Sequence, residues 1–118
     1  MRVAMVLAEE ARVEAERVET LAIESAKKSR RAMWDHLAQC ETGSDWTMHG
    51  DIYSSAFGMI NALVREMASV DVASRILSGQ ASKDEQIEVA ERAIEKYGPS
   101  AWGCHTNGTV PELRRKDV

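Results

Sequence analysis

The chain has 118 residues, enough for one domain with a modest core. Nineteen acids against fifteen bases give a net charge of −4, so nucleic-acid binding would need a local basic patch. No run of about 18 apolar residues exists, which excludes a membrane-spanning helix, and no membrane partner is expected.

The first element is a helix expected over about residues 3–41. This stretch lacks Gly and Pro and is rich in Ala, Glu, Lys, Arg and Leu, the residues that lose least on entering a helix. Its opening apolar run meets Glu9 and Glu10 at once, with no cleavage-like small-residue site. It is therefore expected to be mature helix and not an export signal. At 100° per residue, Ala4, Leu7, Ala8, Ala11, Ala15, Val18, Leu21 and Ala22 fall on one side, continuing through Ala32 and Met33 to His36 and Cys40. Only Glu14 interrupts the seam. Acids come early (Glu9 to Glu24) and bases late (Lys27, Lys28, Arg30, Arg31), which suits the helix dipole.

Such a helix would be roughly 57 Å long at 1.5 Å per residue. A domain of this size is roughly 35 Å across. An apolar seam that long is not left to water. Self-association through Ala4, Leu7, Ala8, Ala11, Ala15 and Val18 is the expectation, and a homo-oligomer the expected state. The alternative is a kinked helix folded back within a monomer.

Gly43 is expected to stop the first helix, and Ser44 or Asp45 to cap a second over about residues 46–69. Ile52, Tyr53, Ala56, Met59, Ile60, Leu63 and Met67 would share its buried face. A short third helix is expected over about 71–78, capped by Asp71 and stopped by Gly79. A fourth follows over about 83–97, where Ser82 and Glu85 have capping-box spacing and Gly98-Pro99 marks the end. No convincing strand and no repeat appears. The expected fold is all-α, an antiparallel helical bundle over residues 1–98 with an irregular C-terminal tail over 99–118.

The chemistry-bearing residues are few. His36 and Cys40 lie i,i+4 on the inward face, a helical half-site for a metal. With Cys104 and His105 they make a Cys2His2 set that zinc takes tetrahedrally; the competing reading is a buried Cys and a hydrogen-bonded His. A disulfide between Cys40 and Cys104 would require an exported chain, and with no export signal the expected compartment is the cytoplasm. His49-Gly50-Asp51 lacks the Lys that helical phosphorelay domains place after their His, and Asp51 would repel a phosphoryl group. No Glu-x-x-His of the di-iron bundles and no Glu-x-x-Asp of the helical pyrophosphohydrolases occurs. The acidic helix around Glu88 and Glu91 would be driven from a DNA groove. Lys27, Lys28, Arg30 and Arg31, with Trp34 beside them, form an expected partner-binding patch.

These residues point to a small, non-catalytic cytoplasmic protein that self-associates and binds another protein, as an adaptor, inhibitor or assembly factor. The alternative is a zinc-stabilised or nucleic-acid-associated regulatory domain. An enzyme is the third reading.

Overall fold

The computed structural model describes residues 2–116, with side chains from residue 6 onward. Ala4 of the expected seam lies outside the described side chains. Helix α1 runs unbroken over Arg2–Thr42. It contributes to two compact units, divided between Ala32 and Met33.

In the first unit, every described side chain from residue 6 to 29 is exposed. Leu7, Val18 and Leu21 are 60%, 54% and 53% exposed. The polar faces carry local ion pairs: Arg12 with Glu9 and Glu16, and Arg17 with Glu14 at 2.6 Å. Pairs at this spacing each add a few tenths of a kcal/mol to a helix.

The second unit starts on the last turns of α1. Met33, Trp34, Leu37 and Ala38 are buried there, on a face rotated from the expected one. A two-stranded antiparallel hairpin follows, β1 (Tyr53–Ser54) and β2 (Met59–Ile60), with Tyr53 opposite Ile60 and Ser54 opposite Met59. Then come α2 (Asn61–Met67), α3 (Val70–Leu77) and α4 (Lys83–Tyr97). Helix α2 packs on α3, α4 and the hairpin. A 3-10 turn over Pro99–Ala101 and the short α5 (Gly103–Thr106) complete the described elements. Trp102, Cys104, Val110 and Leu113 are buried in the core, so the tail expected to be irregular carries part of the packed unit.

Among the described residues the fold is mostly helical with one short sheet. The helix expected over 46–69 is replaced by loop, hairpin and the seven-residue α2, so the second long rod of an antiparallel bundle is absent among the described residues. The apolar spacing there is misleading: Ile52, Tyr53 and Ile60 are exposed, whereas Ser54 and Ser55 are buried. Ser55 and Gly58 take positive φ (77° and 58°), which no helix accommodates. Helix α3 is capped by Ser69, whose hydroxyl accepts from the Val72 N–H, and not by Asp71. The start of α4 is as expected, with both hydrogen bonds of the Ser82/Glu85 capping box formed.

One buried polar side chain holds the hairpin loop. Gln86, 1% exposed, accepts at Oε1 from the Ala56 N–H at 2.9 Å. Its amide donates to the Trp46 and Ala81 carbonyls at 2.7 and 3.1 Å. Three loop segments are thereby joined through one side chain of α4, which satisfies backbone groups that a non-helical, buried loop would leave orphaned.

Candidate active site

The last turn of α1 carries Cys40, Glu41 and Thr42, all half-buried. Thr42 donates from Oγ1 to the Ala56 carbonyl at 2.7 Å and accepts from the Asp45 N–H at 3.1 Å. The helix end is thus fixed to the hairpin loop and to its own exit turn. That loop is closed by the Gly58 N–H on the Ser55 carbonyl at 3.0 Å. Beneath it lies an aromatic cluster: Trp34 against Phe57 at 5.2 Å and Trp102 at 5.7 Å between ring centroids, with Trp46 edge-on to Phe57 at 5.4 Å. The Trp102 indole donates to the Phe57 carbonyl at 3.1 Å, joining the hairpin loop to the C-terminal segment.

Cys40 and Cys104 form a disulfide across 64 positions. It brings the N-terminal end of α5 against the C-terminal end of α1. The result for the next residue is direct: Glu41 Oε1 accepts from the Cys104 backbone N–H at 3.1 Å. Its other oxygen, Oε2, faces Gly58, where an added Cβ would stand 3.9 Å away. One carboxyl group therefore sits where three segments meet: a helix end, a hairpin loop and a disulfide-bound short helix. One oxygen is tied by a backbone donor; the other lies beside a residue with no side chain. This is the geometry of an oriented acid–base group.

Sequence reasoning passes over Glu41. The signal is present: an acid in the last turn of a helix opposes the dipole, and α1 has no base in that turn to offset it. A locally unfavourable charge beside a half-buried Cys is the kind of exception that functional sites make.

The expected zinc set is not assembled. Both thiols are consumed in the disulfide, and the described residues hold no group of three or more His, Cys, Asp or Glu that could bind an ion. His36 faces outward and pairs with Glu112. His105 places Nδ1 at 3.1 Å from the Val110 carbonyl. Trp34 is no exposed anchor: it is fully buried and donates to Glu91 at 2.6 Å. The side chains of Lys27, Lys28 and Arg31 are exposed and Arg30 half-buried.

Comparison with known proteins gives this geometry a context. Residues 28–105 match the family described as Transglycosylase-like domain. The chain is 33% identical over 89 residues to resuscitation-promoting factor Rpf1 of Corynebacterium glutamicum, covering 70% of this chain and 42% of that protein. It is 34% identical over 70 residues to RpfD of Mycobacterium tuberculosis, covering 58% and 42%. RpfE of M. tuberculosis is 33% identical over 70 residues, covering 58% and 38%. The chain thus spans about two fifths of the length of these curated relatives. No solved structure matches significantly.

These matches overturn the expectation of a non-catalytic adaptor: the matched family is a transglycosylase-like one, and the relatives are resuscitation-promoting factors. They also overturn the cytoplasmic assignment, and the disulfide agrees, since such bonds persist where the surroundings are oxidising. The chain belongs to the transglycosylase-like domain family.

Proposed function

We propose that residues 33–116 form a glycan-cleaving domain that acts on peptidoglycan outside the cytoplasm, with Glu41 as its acid–base. The observation that carries this reading is the placement of the Glu41 carboxyl: Oε1 held by the Cys104 N–H, Oε2 beside Gly58, in a chain of the transglycosylase-like family.

The proton inventory is simple. With Oε1 engaged, Oε2 is the oxygen that carries and delivers the proton. The protonated carboxyl gives it to the bridging glycosidic oxygen as the C1–O bond breaks, and the leaving sugar departs with it. Positive charge grows on C1 and the ring oxygen, as in glycoside cleavage generally. Glu41, now a carboxylate, takes a proton from the hydroxyl that attacks C1, and so returns to its starting state. In transglycosylation that hydroxyl belongs to a sugar and not to water. When it belongs to the same sugar residue, the product is an anhydro-sugar, lighter by one water than the hydrolytic product.

Gly58 contributes by what it lacks. A Cβ there would stand 3.9 Å from Oε2 and 3.8 Å from Thr42 Cγ2, so a side chain would take up space beside the acid. The Cys104 N–H fixes the rotamer of the acid, so little reorganisation is needed when substrate arrives.

The reading is tested by incubating the chain, disulfide intact, with purified peptidoglycan and weighing the soluble fragments. Anhydro-ended fragments support intramolecular transfer. Fragments with ordinary reducing ends indicate hydrolysis, and no release of fragments overturns the reading.

A further inference from the structure

The first unit is not used by the site around Glu41, and its apolar face remains exposed. We propose that residues 6–32 of α1 pair with the same helix of a second copy, antiparallel, in one register centred between Val18 and Leu21. The seam has alternating three- and four-residue spacing: positions 7, 11, 14, 18, 21, 25 and 28. It holds Leu7, Val18 and Leu21, each more than half exposed. At this heptad spacing it takes in Lys28, at the margin of the apolar face, as a second charge beside Glu14.

Those two charges choose the orientation. A parallel, in-register pair would stack Glu14 on Glu14 and Lys28 on Lys28 within its core, two like-charge layers. The antiparallel pair sets Glu14 beside Ser25 and Lys28 beside Ala11 of the other copy, and Val18 meets Leu21. On one flank of the seam the same register faces Arg17 with Glu24 and Glu10 with Arg31; by symmetry each contact occurs twice. Shifting the register by one heptad would put Arg17 against Arg17 and Glu10 against Glu24, so the charges select the register as well as the direction. The other flank carries Ala8, Ala15, Ala22 and Ser29, which let the backbones come close. A lipid surface fits less well: the face opposite the seam mixes Glu9 and Glu16 with Arg12, Ile23 and Lys27, and the acids in this stretch offset its bases.

The occupant is therefore a second copy of this chain, recognised by apolar packing and by charges that are complementary only when the helices run in opposite directions. The inference rests on residues 6–32 and stands or falls independently of Glu41.

The test is sedimentation of the full chain from micromolar to hundreds of micromolar concentration at low salt, comparing wild type, R17E, E24R and the R17E/E24R double variant. The wild type is expected to dimerise. Each single reversal turns two attractive contacts into repulsive ones and raises the dissociation constant about tenfold. The double variant is expected to recover, because exchanging the two charges restores an acid facing a base at both contacts; the Arg17–Glu14 pair within each helix, lost in R17E and in the double variant alike, is worth only a few tenths of a kcal/mol. Circular dichroism checks that each variant keeps its helix. Orientation is read by thiol cross-linking, which is clean because the chain has no free Cys among the described residues. V18C mixed with L21C is expected to cross-link faster than either alone. A monomer at every concentration overturns the proposal, whether it is free or bound to phosphatidylglycerol vesicles. So does a double variant no better than the singles, or self-cross-linking of V18C that outpaces the mixture.

Discussion

Removing the Cys40–Cys104 disulfide is predicted to weaken the second unit severely and to lower activity further than the loss of folded protein explains. The bond closes a loop of 64 positions. Chain-entropy bookkeeping for a loop of that length gives about 4 kcal/mol of stabilisation, through restriction of the unfolded chain. A domain of this size holds only about 5–15 kcal/mol in total, so the bond is a large share. With a urea dependence of about 1–2 kcal/mol/M, the unfolding midpoint of C40A/C104A should fall by about 2 M or more. The second effect is local. Cys104 donates its N–H to Glu41 Oε1, and the disulfide is what keeps that amide in place. Activity per folded molecule should therefore fall as well, measured without urea at a temperature where circular dichroism shows the variant folded. The assay pair is urea denaturation of the oxidised wild type against the variant, and peptidoglycan solubilisation normalised to folded fraction. A stability change below about 1 kcal/mol would refute the entropic reasoning. Full activity in the folded variant would refute the positioning of Glu41.

Two further outcomes follow from the fold. Q86L leaves the Ala56 N–H and the Trp46 and Ala81 carbonyls without their buried partner. At about 1–3 kcal/mol per stranded group, partly relieved by water, the loss should be about 3 kcal/mol by urea denaturation, and under about 1 kcal/mol would contradict the clamp. The second concerns pH. Glu85 is held down to about 2, first by its hydrogen bonds from Arg75 and then by the Ser82 N–H of the capping box. A depressed carboxylate stabilises the fold above its unfolded value and loses that contribution as pH falls through the folded one. Stability should therefore drop between about pH 4.5 and 2, and E85Q should flatten that part of the profile, read by melting temperature against pH. An unchanged profile in E85Q would place the acid sensitivity elsewhere.

The sequence is a good guide where local rules act alone. Helix α1, expected over about 3–41, occupies Arg2–Thr42, and α4 fills Lys83–Tyr97 behind its capping box. Both are set by propensity, capping and stop residues within a few positions. The stretch 46–69 misleads because its apolar spacing imitates a helix. The decisive forces there are distant: Thr42 and Gln86 satisfy the loop backbone from 14 and 30 positions away. Trp34 is misplaced by periodicity for a related reason. Burial on α1 begins only at Met33 and Trp34, and it is the tertiary partners Phe57 and Trp102 that select that face. The same two thiols serve as zinc ligands if reduced and as a disulfide if oxidised, and the sequence separates these only through the compartment it is taken to imply. Glu41 is hidden because its role depends on Cys104 and Gly58, brought to it by folding.

In the proposed reaction one carboxyl, Glu41, moves the proton in glycan cleavage. E41Q keeps the shape and removes the proton transfer. The rate at which E41Q and wild type solubilise purified peptidoglycan, under conditions where both melt at similar temperature, tests this most directly. A loss of about 10²–10⁴-fold is expected, the usual contribution of a positioned acid–base. A variant within about threefold of wild type would contradict it.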